Sequence, residues 1–339
     1  MAKDRKEKTK PQASIGIDVG GTKTLLALFD ARFGVLAEDK FRTHPDKGGL
    51  ARFEKALAAS LGRLLKRARK GGLEVRNVGV GCAGDIDMKR GVVRSSPNLT
   101  FLAGYPFRER LEKLTSARVF VGHDVQAALY GEYRLGAARN ARHVIGVWLG
   151  TGVGGALIVD GRLHLGATGR AGDIGNYLLH SVGISTESAR KEVLDAVASR
   201  PAIAGEAAAL AAKHRAPALR KAVGTDVDDI KAGDIARAIR EGDRQVEKLV
   251  RSRANIVGAA LSNLVDFINP ELVVLGGGLV EAMPSLIRTE VRKSINAHAS
   301  PKAARAVRVV VAKLHDHAGT IGAARLAMDM SYGAGPIET

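Results

Sequence analysis

The chain has almost no cysteine and few aromatic residues. Its 339 residues include a single cysteine, Cys82, and only 4% Phe, Trp and Tyr. One cysteine cannot form an internal disulfide or a multi-cysteine metal site, and in an apolar segment we expect it to be a buried core residue. The low aromatic content argues against a stacking platform for single-stranded nucleic acid. These absences exclude a disulfide-stapled domain and argue against a redox function.

Long apolar runs are also missing. No segment approaches the roughly 20 apolar residues of a membrane-spanning helix, and the N-terminus is a charged tail instead of a signal peptide. Residues 1–13 are polar and predict a disordered basic leader. The chain is long enough, with 45% hydrophobic residues, to form two domains. The sequence therefore predicts a soluble, cytoplasmic protein without a membrane partner.

Acidic residues are too few to balance the basic ones, and the formal net charge is +17. Such an excess can indicate nucleic acid, a polyanionic substrate or a solvated basic surface. Outside the leader, the basic residues lie in amphipathic segments such as residues 63–70, where long cationic side chains normally face water. Composition alone favours the solvated surface without excluding a polyanion groove.

Two glycine-rich turns of similar design lie in opposite halves of the chain. The first contains Asp18, Gly20, Gly21, Thr22 and Lys23, and the second contains Gly150, Thr151, Gly152 and Gly154. Glycine lets the main chain approach an anion closely, so that several N–H groups and a threonine hydroxyl share its charge. The pair predicts a phosphate held between two similar domains, and nucleotide-dependent phosphoryl transfer is the leading hypothesis.

Each turn is followed by an apolar, strand-like run. Residues 150–155 also satisfy G-x-G-x-x-G, but that dinucleotide fingerprint requires a helix directly afterwards. The first turn lacks the G-x-x-x-x-G-K-[ST] pattern of a Walker A loop. Both turns therefore predict hairpins. Hairpin chemistry without any ligand remains the alternative for either turn taken alone.

The order of predicted elements repeats along the chain. From Ser14 it runs strand, glycine turn and strand, and near His143 the same order restarts. The further predicted elements are strands near 34–41, 75–82, 119–121 and 272–275 and helices at 50–69, 125–135, 192–213, 233–268 and 318–328. Two copies of one supersecondary order indicate an internal duplication.

The duplication predicts two α/β domains. We expect an N-terminal domain at residues 14–123, a C-terminal domain at 124–315, and a helix at about 316–330 that packs back on the first domain. Ligands of such sheets bind beyond the carboxyl ends of the strands. The active site is therefore expected in the cleft between the two copies.

Three ordered motifs resemble those of the ROK family of sugar kinases and repressors, within the actin-like and hexokinase-like ATPase superfamily. Residues 15–23 and 149–155 resemble its two phosphate motifs, and Gly276, Gly277 and Gly278 lie in a match to its adenosine motif. The resemblance extends from Ser14 to Met328. It implies a duplicated ribonuclease H-like (actin/hexokinase-like) α/β fold and an ATP- and Mg²⁺-dependent kinase that phosphorylates the 6-hydroxyl of a hexose.

Asp124 occupies the position of the family's catalytic base. A base that takes the proton of the attacking hydroxyl contributes typically about 10²–10⁴ in rate. The alternative for a single aspartate at the start of a helix is an N-cap. His123 and Asp124 also resemble a metal-hydrolase pair superficially, but the other histidines lack zincin-type spacing.

The resemblance also assigns the phosphate and metal ligands. It implies that Asp18 holds a hydrated Mg²⁺ through water, since magnesium keeps most of its water shell. Thr22 and Thr151 would donate to phosphate oxygens. Lys23 would neutralise phosphate charge, or it is an exposed turn lysine.

The expected sugar pocket departs from the family pattern. Asp173 and Asn176 replace a glutamate and a histidine, and Asp195 falls on a sugar-binding glutamate. Thr186, Ser188 and Val193 fall on the zinc-binding cysteines, so no structural zinc is expected. His123 stands where an asparagine usually precedes the base, and Asn98 matches a loop asparagine that reaches sugar. With Gly84, these residues are the predicted substrate-binding set, and their changes point to a different sugar or a weakly active protein.

Two further alternatives remain. A sugar-responsive repressor of this family would carry a DNA-binding module before the first phosphate motif, and only 13 residues precede Ser14. A kinase that uses inorganic polyphosphate would fit the charge of +17. The resemblance further implies a homo-oligomer, a dimer or a tetramer.

Overall fold

The computed structural model describes residues 11–43, 49–182, 190–331 and 337–338. The chain divides into two compact units, Met1–Arg134 with Asp316–Pro336 and Leu135–His315 with Ile337–Thr339. Residues 1–10 of the predicted leader lie outside the described residues. Gln12 and Ala13 already belong to a strand, because they pair with Glu74 and Val75. The predicted leader, residues 1–13, therefore included two residues that belong to the first strand.

The described part of the first unit begins with a sheet and three helices. Its elements are β1 (Gln12–Val19), β2 (Lys23–Phe29), β3 (Val35–Arg42), α1 (Gly49–Lys70), β4 (Glu74–Cys82), β5 (Asp85–Asp87), β6 (Val92–Ser95), α2 (Phe107–Thr115), β7 (Arg118–His123) and α3 (Asp124–Leu135). The main sheet has the order β3-β2-β1-β4-β7, and β5 pairs with β6. Cys82 is buried in β4, as expected for a core residue.

The second unit contains another sheet and a set of helices. Its elements are β8 (Val144–Leu149), β9 (Val153–Val159), β10 (Arg162–His164), β11 (Leu178–Val182), β12 (Arg190–Val193), α4 (Leu194–Ala198), α5 (Arg200–Ala212), α6 (Pro217–Val223), α7 (Ala232–Arg240), α8 (Arg244–Ile268), β13 (Leu272–Gly276), α9 (Gly278–Ala282), α10 (Pro284–His298), α11 (Pro301–Ala306) and β14 (Arg308–Val311). The last described elements are α12 (Ala318–Ser331) and β15 (Ile337–Glu338).

The two sheets share one topology. In the first unit, β1, β2 and β3 form an antiparallel meander, and β4 and β7 add to β1 in parallel. In the second unit, β8, β9 and β10 form the meander, and β13 and β14 add to β8 in parallel. The predicted duplication and both predicted hairpins are confirmed, since each glycine turn joins the first two strands of its meander.

Two predicted helices are interrupted in the structure. The segment 192–213 begins as strand β12 and continues as α4 and α5, which meet at Ser199. Pro201 lies in the first turn of α5, where its missing N–H is not needed, and so favours a new helix start there. The segment 233–268 is broken between α7 and α8 at Gly242, whose φ of 100° does not fit a helix.

Helix α12 packs directly on the first sheet. A Cβ placed on Gly16 of β1 would lie 1.9 Å from the carbonyl oxygen of Thr320, and one on Gly79 of β4 would lie 1.8 Å from that of Ala323. Side chains at these two positions would therefore displace the helix. The sheet and the helix backbone touch because both strands carry glycine at the crossing.

Helix α12 also contacts α3. A Cβ placed on Gly322 would lie 1.7 Å from the carbonyl oxygen of Ala127, and the buried Tyr130 hydroxyl donates to Asp329 at 2.5 Å. This packing assigns α3 to the first unit, so the units divide after Arg134 instead of at the predicted boundary after His123.

Each unit has its own hydrophobic core. In the first unit, Phe53, Leu57 and Leu61 of α1 are buried with the side chains of β1 and β4. In the second unit, the long helix α8 contributes Val257 and Leu261 to a core shared with β8 and β13. Among the described residues, none of the helices has the length and apolar character needed to cross a membrane.

Candidate functional site

The carboxyl ends of three parallel strands meet at one edge of the first sheet. Strands β1, β4 and β7 are neighbours, with Val19 paired to Cys82 and Cys82 paired to His123. Asp18, near the end of β1, and Asp124, directly after β7, therefore lie at the same edge. The residue that follows a parallel strand at this edge is in the usual position for a ligand-binding group.

The carboxyl group of Asp18 is half-buried beside several charges. Its pKa is raised to about 7, first by burial and then by the charges of Asp124 and Asp316, while the charge of Lys23 opposes the shift. A Cβ placed on Gly319 would lie 2.7 Å from Asp18 Oδ2, so the carboxyl group packs against the first turn of α12. The nearby positive charge of Lys23 therefore does not balance the ionised Asp18 carboxylate, and a bound cation would stabilise it.

Asp124 begins α3 with its carboxyl group partly exposed. Oδ1 accepts a hydrogen bond from the Val125 N–H at 2.8 Å, and His123 Nδ1 lies 3.2 Å from the same oxygen. This bond joins Asp124 to the next residue along the chain and is not the contact with an N–H two or three residues on that the helix-capping alternative predicts. It also fixes the direction of the carboxyl group, which remains 25% exposed.

The first glycine turn is closed by its own backbone. The Gly20 N–H donates to the Lys23 carbonyl at 3.1 Å, and the Thr43 N–H donates to the Thr22 carbonyl at 3.1 Å. The side chains of Thr22 and Lys23 are exposed. Lys23 Nζ donates to Asp316 Oδ2 at 2.6 Å. The sequence analysis did not identify Asp316 as a site residue. The only available signal was its position, as an acidic residue shortly before α12, which begins with Ala318 and Gly319.

Two predicted sugar-binding residues follow β4: Gly84 lies directly before β5, and Asn98 lies after β6. Gly84 has a φ of 127°, and a Cβ there would lie 2.4 Å from the Ser95 carbonyl oxygen. Asn98 is exposed after β6. Beside Gly84, the Ser96 hydroxyl is buried and has no hydrogen-bond partner within the ranges that the structure describes. Sequence reasoning did not assign Ser96 to the site.

The second glycine turn is held by contacts from α4 and α5. The Gly150 N–H donates to the Gly152 carbonyl at 2.9 Å, and the Arg200 N–H donates to the Gly150 carbonyl at 2.8 Å. The Val153 N–H donates to Asp195 Oδ1 at 2.6 Å. Thr151, at the tip of the turn, is exposed.

The third glycine motif lies against the end of β8. Gly277 has a φ of 89°, and a Cβ there would lie 2.5 Å from the Leu149 carbonyl oxygen. A Cβ on Gly276 would lie 2.6 Å from the indole ring of Trp148, the single tryptophan of the chain. Gly278 begins α9 and leaves open space around it. The second unit thus brings the second and third glycine motifs together, with Trp148 as a neighbour that sequence reasoning missed.

Asp173 and Asn176 form a polar cluster in the second unit. Asp173 Oδ2 accepts from Asn176 Nδ2 at 2.9 Å and from the Arg170 guanidinium. Arg170 was not predicted. A Cβ on Gly175 would lie 2.1 Å from the Val153 carbonyl oxygen, so the segment packs against the start of β9.

Only part of the segment that matches the family's zinc loop is described. Thr186 and Ser188 lie outside the described residues, and Val193 ends β12. Among the described residues, no group of three or more His, Cys, Asp or Glu side chains is arranged to hold a metal ion.

The two units define an α/β protein with the duplicated ribonuclease H-like, actin/hexokinase-like fold. The chain belongs to the ROK family, whose family model matches residues 14–330.

Relatives of known name match over most of this chain. A glucokinase of Halalkalibacterium halodurans is 29% identical over 91% of this chain and 92% of its own length. A glucokinase of Streptomyces coelicolor is 30% identical over 93% of this chain and 98% of its own length. The crystal structure of a ROK family glucokinase from Streptomyces griseus in complex with glucose and AMPPNP superposes with a TM-score of 0.78 at 29% identity, covering 94% of this chain and 99% of that protein.

Proposed function

We propose that the protein is an ATP-dependent sugar kinase that transfers the γ-phosphoryl group to a hexose hydroxyl, namely the 6-hydroxyl. One observation carries the proposal: Asp18, Asp124 and a glycine turn with an exposed threonine and lysine share one edge of the first sheet. The glucokinases among the relatives and the glucose and AMPPNP bound to the Streptomyces griseus enzyme support the same chemistry.

Asp124 would act as the general base. As the sugar oxygen forms its bond to the γ-phosphorus, the hydroxyl proton passes to the Asp124 carboxylate and the bond from the γ-phosphorus to the β,γ-bridging oxygen breaks. ADP leaves with that electron pair. The Val125 N–H and the nearby His123 ring hold Oδ1, which orients the carboxylate for this transfer.

The glycine motifs would bind the nucleotide. Backbone N–H groups of Gly21, Gly152 and Gly154 and the hydroxyls of Thr22 and Thr151 would contact phosphate oxygens, because both threonines are exposed at turns without bulky neighbours. The Gly20 N–H donates to the Lys23 carbonyl, so Gly20 would serve by letting the main chain approach the phosphate. Lys23 would add positive charge. Gly276, Gly277 and Gly278 would let the adenosine lie against the main chain.

The residues at the first sheet edge fit a hydrated Mg²⁺. Asp18 is a hard oxygen ligand whose ionised form is disfavoured by burial and by Asp124, and a divalent cation would reverse that penalty. Asp18 would hold the ion through water. When bound, Mg²⁺ neutralises negative charge on the transferred phosphoryl group.

The acceptor sugar would be bound by Gly84, Asn98 and His123 in the first unit and by Asp173, Asn176 and Asp195 in the second. The Asp173 carboxylate already accepts from Arg170 and Asn176. Arg170 therefore adds a cationic donor to the predicted pocket, which favours a sugar rich in acceptor oxygens.

A coupled assay of ADP release tests the proposal. The purified protein would be screened with ATP and Mg²⁺ over aldohexoses, ketohexoses and N-acetylhexosamines, with Asp124→Asn as the control. We expect turnover with at least one hexose and its loss in the variant. Absence of sugar-dependent ADP release across the panel would contradict the proposal.

The same assay addresses the alternatives. Polyphosphate as the donor is favoured only by the net charge of +17, and its use should weaken steeply as ionic strength rises. A regulator without enzymatic turnover would bind sugar but release no ADP. We also propose a cytoplasmic homo-oligomer, a dimer or tetramer, which light scattering would test.

A further inference from the structure

The carboxylate of Asp195 is bonded to the second glycine turn. Asp195 lies in the first turn of α4, and its Oδ1 accepts from the Val153 N–H at 2.6 Å. A hydrogen bond to an ionised acceptor is roughly twice as strong as a neutral one. A Cβ on Gly152 would lie 3.0 Å from the same oxygen, so the carboxylate is packed against the turn as well as bonded to it.

The other side of Asp195 faces the predicted sugar-binding segment. A Cβ on Gly175 would lie 3.6 Å from the Cβ of Asp195, and Gly175 is flanked by Asn176. The Leu194 N–H donates to the Tyr177 carbonyl at 3.0 Å, directly after that segment. The start of α4 therefore contacts both the phosphate turn and the segment that carries Asp173 and Asn176.

The hydrogen bond between the Val153 N–H and the Asp195 carboxylate limits the roles that both groups can have in phosphate binding. The Val153 amide is occupied by a carboxylate, so it is not available to a phosphate. The negative charge of Asp195 by itself repels a phosphate, so any favourable effect of Asp195 on phosphate binding must come from fixing the shape of the turn. The bond from the Arg200 N–H to the Gly150 carbonyl, at 2.8 Å, holds the opposite end of the same turn.

We propose that Asp195 is a positioning residue that holds the second glycine turn in its phosphate-binding shape through Val153 and couples that turn to the sugar-binding segment. This inference rests on the proposed function. It assigns Asp195 a role in binding the phosphate donor, in addition to its proposed role in binding the acceptor sugar. The side chain acts through the Val153 amide and does not itself touch the phosphate.

Two substitutions separate this role from direct sugar binding. Asp195→Asn keeps an oxygen that can accept from Val153 but removes the charge, and Asp195→Ala removes the acceptor. Asp266→Ala is the matched control, because Asp266 accepts from the Ser300 N–H at 3.0 Å elsewhere in the second unit. All three would be checked for folding by thermal melting.

The readouts are the dissociation constant of AMPPNP by calorimetry, the KM values for ATP and hexose, and hydrogen exchange of the peptide that covers residues 150–155. We expect Asp195→Ala to weaken AMPPNP binding about tenfold, the size of one lost hydrogen bond to a charged group, to raise the KM for ATP and to speed exchange in the turn. Asp195→Asn should retain most of the AMPPNP affinity, and Asp266→Ala should change none of these readouts.

Other outcomes would overturn the inference. If both Asp195 variants raised only the KM for hexose and left AMPPNP binding and turn exchange unchanged, Asp195 would bind sugar alone. If the wild-type protein bound no AMPPNP, the proposed function would fail, while the exchange comparison would still decide whether Asp195 holds the turn. Unchanged exchange in Asp195→Ala would contradict the positioning role in either case.

Discussion

Lys23 Nζ lies 2.6 Å from Asp316 Oδ2, although the two residues are 293 positions apart in the chain. Their side chains are 50% and 60% exposed, so the pair contributes roughly 0–1 kcal/mol to stability. The contact has more consequence for function. The ion pair places the Lys23 ammonium group beside the start of α12 and close to Asp18. At that position, a bound phosphate would compete with Asp316 for the ammonium group.

Substitutions of this pair should change nucleotide affinity in different ways. Lys23→Met should weaken AMPPNP binding roughly tenfold, because a charge-assisted bond to phosphate is lost. Asp316→Asn should not weaken it, because the competing carboxylate is removed. Calorimetry measures both. Lys113→Met is the control, since Lys113 forms a similar exposed pair with Glu109 at 2.6 Å. Equal weakening in both site variants would contradict competition by Asp316.

The raised pKa of Asp18 predicts a pH dependence of stability without metal. Because this pKa is about 7 in the folded protein and about 4 in an unfolded chain, the folded state holds the proton more tightly. The contribution of Asp18 is therefore full below about pH 4 and is lost as the pH rises through about 7. Asp18→Asn should gain stability relative to wild type between pH 5 and pH 8, as measured by thermal melting in EDTA.

Asp87 provides a control of opposite sign. A hydrogen bond from the Arg90 N–H, with a further one from Arg94, lowers the pKa of Asp87. Its contribution is present above its unfolded pKa and is lost as the pH falls. Asp87→Asn should therefore lose stability near pH 7 and converge with wild type in acid. A parallel pH trend in the two variants would show that the Asp18 environment is described wrongly.

Magnesium should reverse the penalty at Asp18. At pH 8, adding Mg²⁺ to metal-free wild type should raise its melting temperature, because the cation stabilises the ionised carboxylate. Asp18→Asn should show no comparable rise. An equal rise in the two proteins would place the metal elsewhere.

The contact between α12 and the first sheet should tolerate no side chain at Gly16. Gly16→Ala would place a Cβ 1.9 Å from the Thr320 carbonyl oxygen, and overpacking of this kind typically costs about 1–3 kcal/mol or more. The matched control is Gly62→Ala in α1, where a Cβ would have open space, and alanine should stabilise the helix by roughly 0.5–1 kcal/mol. Urea unfolding measures both. Similar stabilities would contradict the close backbone packing.

Much of the fold could be predicted from short-range patterns. The apolar runs on both sides of Gly20 and Gly152 predicted hairpins, and the repeated order of elements predicted the shared topology of the two sheets. The sequence analysis missed the split of residues 192–213 into β12, α4 and α5. The alanine-rich composition predicts one continuous helix, whereas Pro201 favours the start of a new one.

For the candidate site, the sequence analysis proposed individual residues but could not propose the contacts between them. The sequence singled out Asp18 and Asp124 separately, and the structure has Asp18 near the end of β1 and Asp124 directly after β7, at the same sheet edge. The bonds from Lys23 to Asp316 and from Val153 to Asp195 could not be predicted, since they depend on helix packing between residues far apart in sequence.

The central claim is that Asp124 is the general base of phosphoryl transfer. Its most direct test is the steady-state kcat of Asp124→Asn, with AMPPNP and hexose affinities measured separately by calorimetry. Asp160→Asn is the control, because Asp160 is an exposed carboxylate at the turn between β9 and β10. We predict that Asp124→Asn lowers kcat by about 10²–10⁴ with both affinities retained, and that Asp160→Asn keeps wild-type activity. An Asp124→Asn enzyme with the kcat of wild type would contradict the account.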